Sequence, residues 1–194
     1  MRKVFATAFL ALLFTGLSAQ EKNINVGFAL GGYDRYSFGH SEIVDIHESS
    51  RYNDISYVSN PTVLPTLTFE GGYIFKGNHV GAFLGAYWSY AWNNMYGGPS
   101  PLRESESILH LVPQVRLYYL YRGNARLYAT FGLGARIRSF SETFEGDTIR
   151  SSKATVSYIV SPFGMSFGDR WTFACDFGFG TPWSMFNMTL GYRF

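Results

Sequence analysis

The chain has 194 residues, 19% of them aromatic, with 16 Lys+Arg against 14 Asp+Glu and one cysteine. This length suits one domain, and the lone Cys175 excludes an intramolecular disulfide framework. The small basic surplus belongs to Arg2 and Lys3, so the rest of the chain is charge-balanced and carries no electrostatic footprint for nucleic acid.

The first segment has a basic start, an apolar run from Val4 to Leu17 and then Ser18-Ala19. It reads as a secretory signal peptide, residues 1–19, cut before Gln20, with residues 20–194 as a single mature domain. After Gln20 no run approaches the about 20 apolar residues of a spanning helix. A membrane-crossing chain of this kind must therefore be a closed barrel.

The mature chain alternates with period two, the pattern of strands with one apolar face. Ile24–Gly32 sets Ile24, Val26, Phe28 and Leu30 against Asn25, Gly27, Ala29 and Gly31. Val63–Phe75 sets Val63, Leu67, Phe69, Tyr73 and Phe75 against Thr66, Thr68, Glu70 and Gly72. His79–Trp92 aligns Val80, Ala82, Leu84, Ala86, Trp88, Tyr90 and Trp92. Ile108–Tyr121 sets Leu109, Leu111, Val115, Leu117, Tyr119 and Tyr121 against His110, Gln114 and Arg116. Arg126–Arg138 is the cleanest, with Leu127, Ala129, Phe131, Leu133, Ala135 and Ile137 opposing Tyr128, Thr130, Gly132, Gly134, Arg136 and Arg138. In Thr155–Phe167 the outward set is read as Val156, Tyr158, Val160 and Pro162, although the other parity fits almost as well. Arg170–Gly180 sets Trp171, Phe173, Cys175, Phe177 and Phe179 against Thr172, Ala174, Asp176, Gly178 and Gly180. Met185–Phe194 sets Phe186, Met188, Leu190, Tyr192 and Phe194 against Asn187, Thr189, Gly191 and Arg193.

Three tight turns, Lys76-Gly77-Asn78, Arg122-Gly123-Asn124 and Phe167-Gly168-Asp169, have glycines 46 and 45 residues apart. Glycine beside Asn or Asp is hairpin chemistry, because both accept positive φ. The other connections are polar loops, Asp34–Thr62, Asn93–Ser107, Ser139–Ala154 and the brief Thr181–Ser184. The expectation is an all-β, eight-stranded antiparallel up-and-down transmembrane β-barrel, since about 9–11 tilted residues cross a bilayer. Tyr73, Phe75, Trp88, Tyr90, Trp92, Tyr119, Tyr121, Trp171, Trp183, Tyr192 and Phe194 are expected in interfacial girdles. Pro65, Pro113 and Pro162 fall within strands and are expected at local bulges.

Volume decides which face is inside. Eight strands leave room only for packed side chains or one small ligand, too little for the roughly forty mostly bulky side chains of the apolar faces. The small and polar face must line the lumen, which then receives Glu70, His110, Gln114, Arg116, Arg136, Arg138, Asp176 and Arg193. Lone charges there are costly, so an Arg–carboxylate network that plugs the barrel and pins its register is expected, with hydrated rim charges as the alternative.

With these strands, turns, girdles and the terminal Tyr192-Arg193-Phe194, the chain resembles small bacterial outer-membrane proteins. It is similar to the OmpX type, to the transmembrane domain of the OmpA type, and to the outer membrane protein beta-barrel domain group of Bacteroidetes. The likeness spans the mature chain, and it departs from full-length OmpA-type proteins in stopping at the barrel. It implies location in the bacterial outer membrane, a C-terminal signal at Tyr192 and Phe194 read by barrel assembly machinery, outer-membrane lipid as surroundings, and a structural or adhesion-like role through the loops. A surface partner would meet loop 34–62, where Glu42–His47 and Asp54–Val58 still alternate weakly and suggest an exposed edge able to add a partner's strand.

Two other classes stay open. A lipid-A-modifying enzyme would need a Ser/His/Glu set, and Glu104, Ser105, Glu106, Ser107 and His110 are near the outer rim. A narrow channel would need hydrated lumen charges. The structural reading is preferred, with no enzyme activity and no cofactor. His40, His47 and Glu48 share a loop without metal-ligand spacing, Phe131-Gly132-Leu133-Gly134 is explained by lumen glycines, and Asp176-Phe177-Gly178 lacks the companions of a kinase motif. Asn187-Met188-Thr189 is a glycosylation sequon inside a spanning strand and is expected to be unused.

Overall fold

The computed structural model describes residues 19–30, 58–75, 77, 79–96, 102–122, 124–144 and 147–194. The segment read as a signal peptide, up to residue 18, and loop residues 31–57, including His40, His47 and Glu48, lie outside the described residues.

Nine strands are described, in chain order: β1 (Ala19–Leu30), β2 (Val58–Val63), β3 (Thr66–Phe75), β4 (Val80–Tyr96), β5 (Leu102–Arg122), β6 (Ala125–Phe144), β7 (Asp147–Phe167), β8 (Trp171–Gly180) and β9 (Ser184–Arg193). They form one antiparallel sheet in the order β2-β4-β3-β1-β9-β8-β7-β6-β5, and a β4–β5 pairing closes it. Without β2, which only adds to β4, the ring is an eight-stranded up-and-down barrel. Closure matters because it pairs backbone groups that an open sheet edge would turn toward lipid. At the seam, β1 and β9 pair from Asn23↔Arg193 to Leu30↔Phe186, and the Phe194 N–H donates to the Lys22 carbonyl at 3.0 Å. The turn glycines Gly77 (φ 106) and Gly168 (φ 114) occupy the left-handed region that a side chain disfavours.

The outside of the barrel is apolar. Among the described residues, twenty-eight large apolar side chains are exposed, including Ile24, Phe28, Leu67, Phe69, Leu84, Val115, Phe131, Leu133, Phe173, Phe179 and Leu190. A soluble monomer rarely exposes contiguous apolar patches beyond a few hundred Å², so this belt is a lipid-facing surface. It ends abruptly on the side away from the tight turns. The cross-strand row Trp88, Leu109, Ile137, Ala154 gives way to Tyr90, Ser107, Ser139, Ser152. That switch from aliphatic to hydroxyl side chains across three adjacent strands marks the membrane–water boundary on that side.

Several details depart from the sequence-based expectation. The connections read as loops over 93–107 and 139–154 are largely strand, because period two continues there with polar residues on both faces. Glu104 and Glu106 point in while Ser105 and Ser107 point out. The strand expected over Val63–Phe75 is interrupted at Leu64-Pro65, and β2 (Val58↔Tyr96 to Val63↔Ala91) continues β3 along the same edge of β4 after a one-residue register shift between Val63↔Ala91 and Leu67↔Trp88. The bulge account of the prolines holds for Pro162, where the β7–β8 register shifts between Val160 and Phe163. It fails for Pro113, which pairs with Leu84 in unbroken register while the ladder to β6 merely skips from Leu111 to Gln114. Val156, Tyr158, Val160 and Pro162 do face outward, and the bulge then inverts the parity so that Phe163 is exposed and Gly164 buried.

Two aromatics leave the expected girdle. A shift between Tyr118 and Leu120 turns Tyr121 toward the lumen mouth, where it meets Glu21. Trp183 is 1% exposed and packs inside with Ala29, Tyr87, Val112 and Ile159. A second internal cluster, Ile74, Phe83, Tyr118 and Tyr128, lies toward the tight-turn end. These two apolar layers were concealed in the sequence by neighbours of opposite character.

Candidate functional site

Arg116, 3% exposed, is the centre of the lumen between the two apolar clusters. Its Nη2 donates to Glu70 Oε2 at 2.5 Å, and Asp176 Oδ2 is 4.0 Å away. Phe83 and Tyr128 stack on the guanidinium, with centroid distances of 4.3 and 4.9 Å. Glu70 also accepts from the Tyr87 hydroxyl at 2.8 Å and from Asn25 Nδ2 at 3.4 Å, while Gln114 Nε2 donates to the Tyr87 oxygen. Thr130 donates to Asp176 at 3.5 Å. Six strands thus meet at one cation flanked by two carboxylates. The cavity beside Arg116, lined by Asn25, Phe83, Tyr118, Arg126 and Tyr128 among others, measures about 10 Å³, barely the space of one water.

The eight residues assigned to the lumen all belong to the inward parity, and they separate into three stations. Glu70, Gln114, Arg116 and Asp176 form the centre. Arg193 lies at the tight-turn mouth, bonded to Glu21 Oε2 (3.3 Å), Asn23 Oδ1 (3.4 Å) and the Gly168 carbonyl (3.4 Å). There Arg126 also pairs with Glu21 at 2.9 Å, and the Tyr121 hydroxyl donates to Glu21 at 2.6 Å. Sequence reasoning missed Glu21 because it precedes the alternating run, and missed Tyr121 because of the bulge. His110, Arg136 and Arg138 form the third station near the outer mouth. His110 Nδ1 is 2.9 Å from Ser157 Oγ, which is 2.6 Å from Thr181 Oγ1. Arg138 bonds Glu106 through Nε and through Nη2, the latter at 3.2 Å.

The rim cluster considered for catalysis does not come together on one face. Glu104, Glu106 and His110 point inward, whereas Ser105 and Ser107 point outward, and Ser107 accepts from Trp88 Nε1 at 2.9 Å. The serine that does meet His110 is the fully buried Ser157, beyond reach of a lipid substrate.

Above the hydroxyl boundary rises an extension made of residues 90–96 of β4, 102–107 of β5, 139–144 of β6 and 147–153 of β7, with β2 alongside. Its outward face carries Arg103, Arg150 and rows of Ser and Thr. Its inward face carries Asn93, Glu104, Glu106 and Glu142, all buried. Burial raises the Glu104 carboxyl above the ordinary range against a bond from Asn93, and burial plus the Glu104 charge raises Glu142. β8 pairs with β7 only from Ile159↔Gly180 onward, so the β8-facing edge of β7 over 147–158 has no strand partner among the described residues. Val156 on this edge is 67% exposed.

The pairing defines the class, a transmembrane β-barrel of eight antiparallel strands with a plugged lumen. No protein-family model and no curated protein matches the sequence. Among solved structures the chain is similar to Ail, the attachment invasion locus protein of Yersinia pestis, at a TM-score of 0.48 and 14% identity, over 90% of this chain and 98% of that one.

Proposed function

We propose that the chain is a bacterial outer-membrane barrel whose function is surface interaction, carried by the outer extension rather than by the lumen. The observation behind this is the open β7 edge over residues 147–153, standing beyond the lipid belt with no strand pairing on one side among the described residues. An edge of this kind accepts a partner's strand through main-chain hydrogen bonds. The tight turns, the start of β1 and the end of β9 then face the periplasm, and Tyr192 and Phe194, at the seam, are the signal an assembly machinery would read. The arginine–carboxylate centre and the two apolar layers act as a plug. The split Ser/His/Glu set gives no support to a lipid-modifying enzyme, and the nearly void-free centre gives none to a channel.

The test replaces residues 141–150 with Asn-Gly, shortening the β6–β7 hairpin at the boundary. Boiled and unboiled samples should still migrate differently, showing a closed barrel, while adhesion of expressing cells to matrix-coated surfaces falls. Unchanged adhesion with a closed barrel would remove the extension from the function.

A further inference from the structure

Charge in the extension is sorted by face. Asn93, Glu104 and Glu142 are direct cross-strand neighbours on β4, β5 and β6, and all three point inward. Glu106, one inward row below, is taken by Arg138. The Glu104–Glu142 pair has no such partner among the described residues. There, Glu104 accepts a 3.3 Å bond from the neutral Asn93 amide. Glu142 is 8% exposed, and its Oε2 is buried without a hydrogen-bond donor.

The other described groups facing the pair do not neutralise it. β4 offers Asn93 and Ser89, and β7 offers Ile149 directly opposite Glu142. Lys153, opposite Arg138, is exposed at the edge, and Arg136 lies in the row of His110, six positions along β6 from Glu142. Two carboxylates in one row, one with an oxygen lacking any donor, form a site short of positive charge. Burying like charges without compensation is costly.

We propose that Glu104 and Glu142 together bind a calcium ion that staples β5 to β6 above the membrane. Both carboxylates ligate, Asn93 orients Glu104, and water completes the shell. Calcium suits such a site because it takes oxygen ligands in flexible geometry, whereas magnesium demands a stricter octahedron and gives up its water reluctantly. Affinity in the range of about 10⁻⁴–10⁻³ M, that of extracellular calcium modules, is expected. This inference needs only that the extension stands outside the lipid, not that it adheres to anything.

The test is amide hydrogen exchange on the full barrel refolded in lipopolysaccharide-free detergent micelles near neutral pH, which removes lipid phosphates as competing ligands. Peptides covering 102–107 and 139–144 should exchange about tenfold more slowly with calcium at about ten times its dissociation constant than with chelator. Glu142→Gln and Glu104→Gln should each abolish this response. In chelator both variants should exchange more slowly than the native protein, because the repulsion is gone. Arg103→Gln, on the outward face, should keep the calcium response. Failure of calcium to slow exchange in the native chain up to about 10 mM, well above that affinity range, would overturn the site, as would a response that survives Glu142→Gln. Equal exchange of native and Glu142→Gln protein in chelator would overturn it too, by showing a pair already neutralised by a shared proton, and equal protection by magnesium would overturn the calcium assignment.

Discussion

Replacing Arg116 with Met tests the lumen network most severely. The substitution keeps much of the side-chain volume. Among the described residues it removes the only cation in direct contact with Glu70, at 2.5 Å, which is also the one 4.0 Å from Asp176. Both carboxylates are buried, so neither recovers its solvation. Breaking a buried pair from one side costs about 3–5 kcal/mol. Loss of the two ring contacts adds about 0.5–2 kcal/mol each if they were independent, and because they share one guanidinium the lower end is expected. The expected destabilisation is therefore at least about 3 kcal/mol, a large share of the about 5–15 kcal/mol that holds a typical domain. Urea unfolding in micelles, monitored by tryptophan fluorescence and by the gel shift, measures it. The triple variant Arg116→Met, Glu70→Gln, Asp176→Asn removes all three charges and should recover most of the loss, since neutral replacement of a buried ion cluster is often close to neutral in stability. A loss below about 1 kcal/mol for the single variant, the scale of an exposed ion pair, would refute the idea that these charges are dry and interdependent.

Glu21→Gln should weaken the tight-turn mouth by about 1.5–3 kcal/mol, the worth of hydrogen bonds to a charged group, with hydrogen exchange quickening first at the β1–β9 seam. Gly27→Ala should block seam closure, because a Cβ there would fall 1.9 Å from the Met188 carbonyl oxygen; a normal gel shift would contradict it. Trp183→Ala should cost about 3–5 kcal/mol through the cavity left in the outer apolar layer. Planar-bilayer recordings of that variant should show leak events absent from the native protein. With divalent ions chelated, the extension should be tightest in acid. Glu104 and Glu142 have raised folded pKa values, so their contribution is complete below the ordinary glutamate value of about 4.3. It is lost as pH rises through the folded values, so exchange of the 102–107 and 139–144 amides, corrected for intrinsic rate, should quicken upward from that point.

Sequence made legible whatever a lipid boundary imposes. Strands such as 126–138 alternate cleanly because one face meets hydrocarbon and the other a crowded lumen, so inside and outside separate by residue type. Beyond Ile137 that contrast disappears. Ser139, Ser141 and Thr143 face water while Glu142 faces the interior of the extension, and period two in polarity no longer shows although period two in geometry persists. Bulges were equally hidden, since the register shifts at Tyr119 and next to Pro162 follow from no alternation rule. Trp183 was read as interfacial from its type, whereas in the short span between β8 and β9 it turns inward onto the lumen cluster. The central charges were placed by parity alone, but their order along the axis needed the shear of the sheet.

The walls of the barrel are of very unequal height. β8 and β9 have ten residues each, β5 and β7 twenty-one. Ten residues at about 3.4 Å each, inclined at about 35–45°, reach little more than the about 25 Å of an outer-membrane apolar band. On that side the protein has no freeboard, and Thr181–Trp183 must sit at the waterline. On the opposite side β4–β7 stand clear like a fin. A visitor arriving over the low wall meets lipid almost at once, whereas one arriving at the fin meets protein alone, so this end of the molecule has a direction as well as a surface.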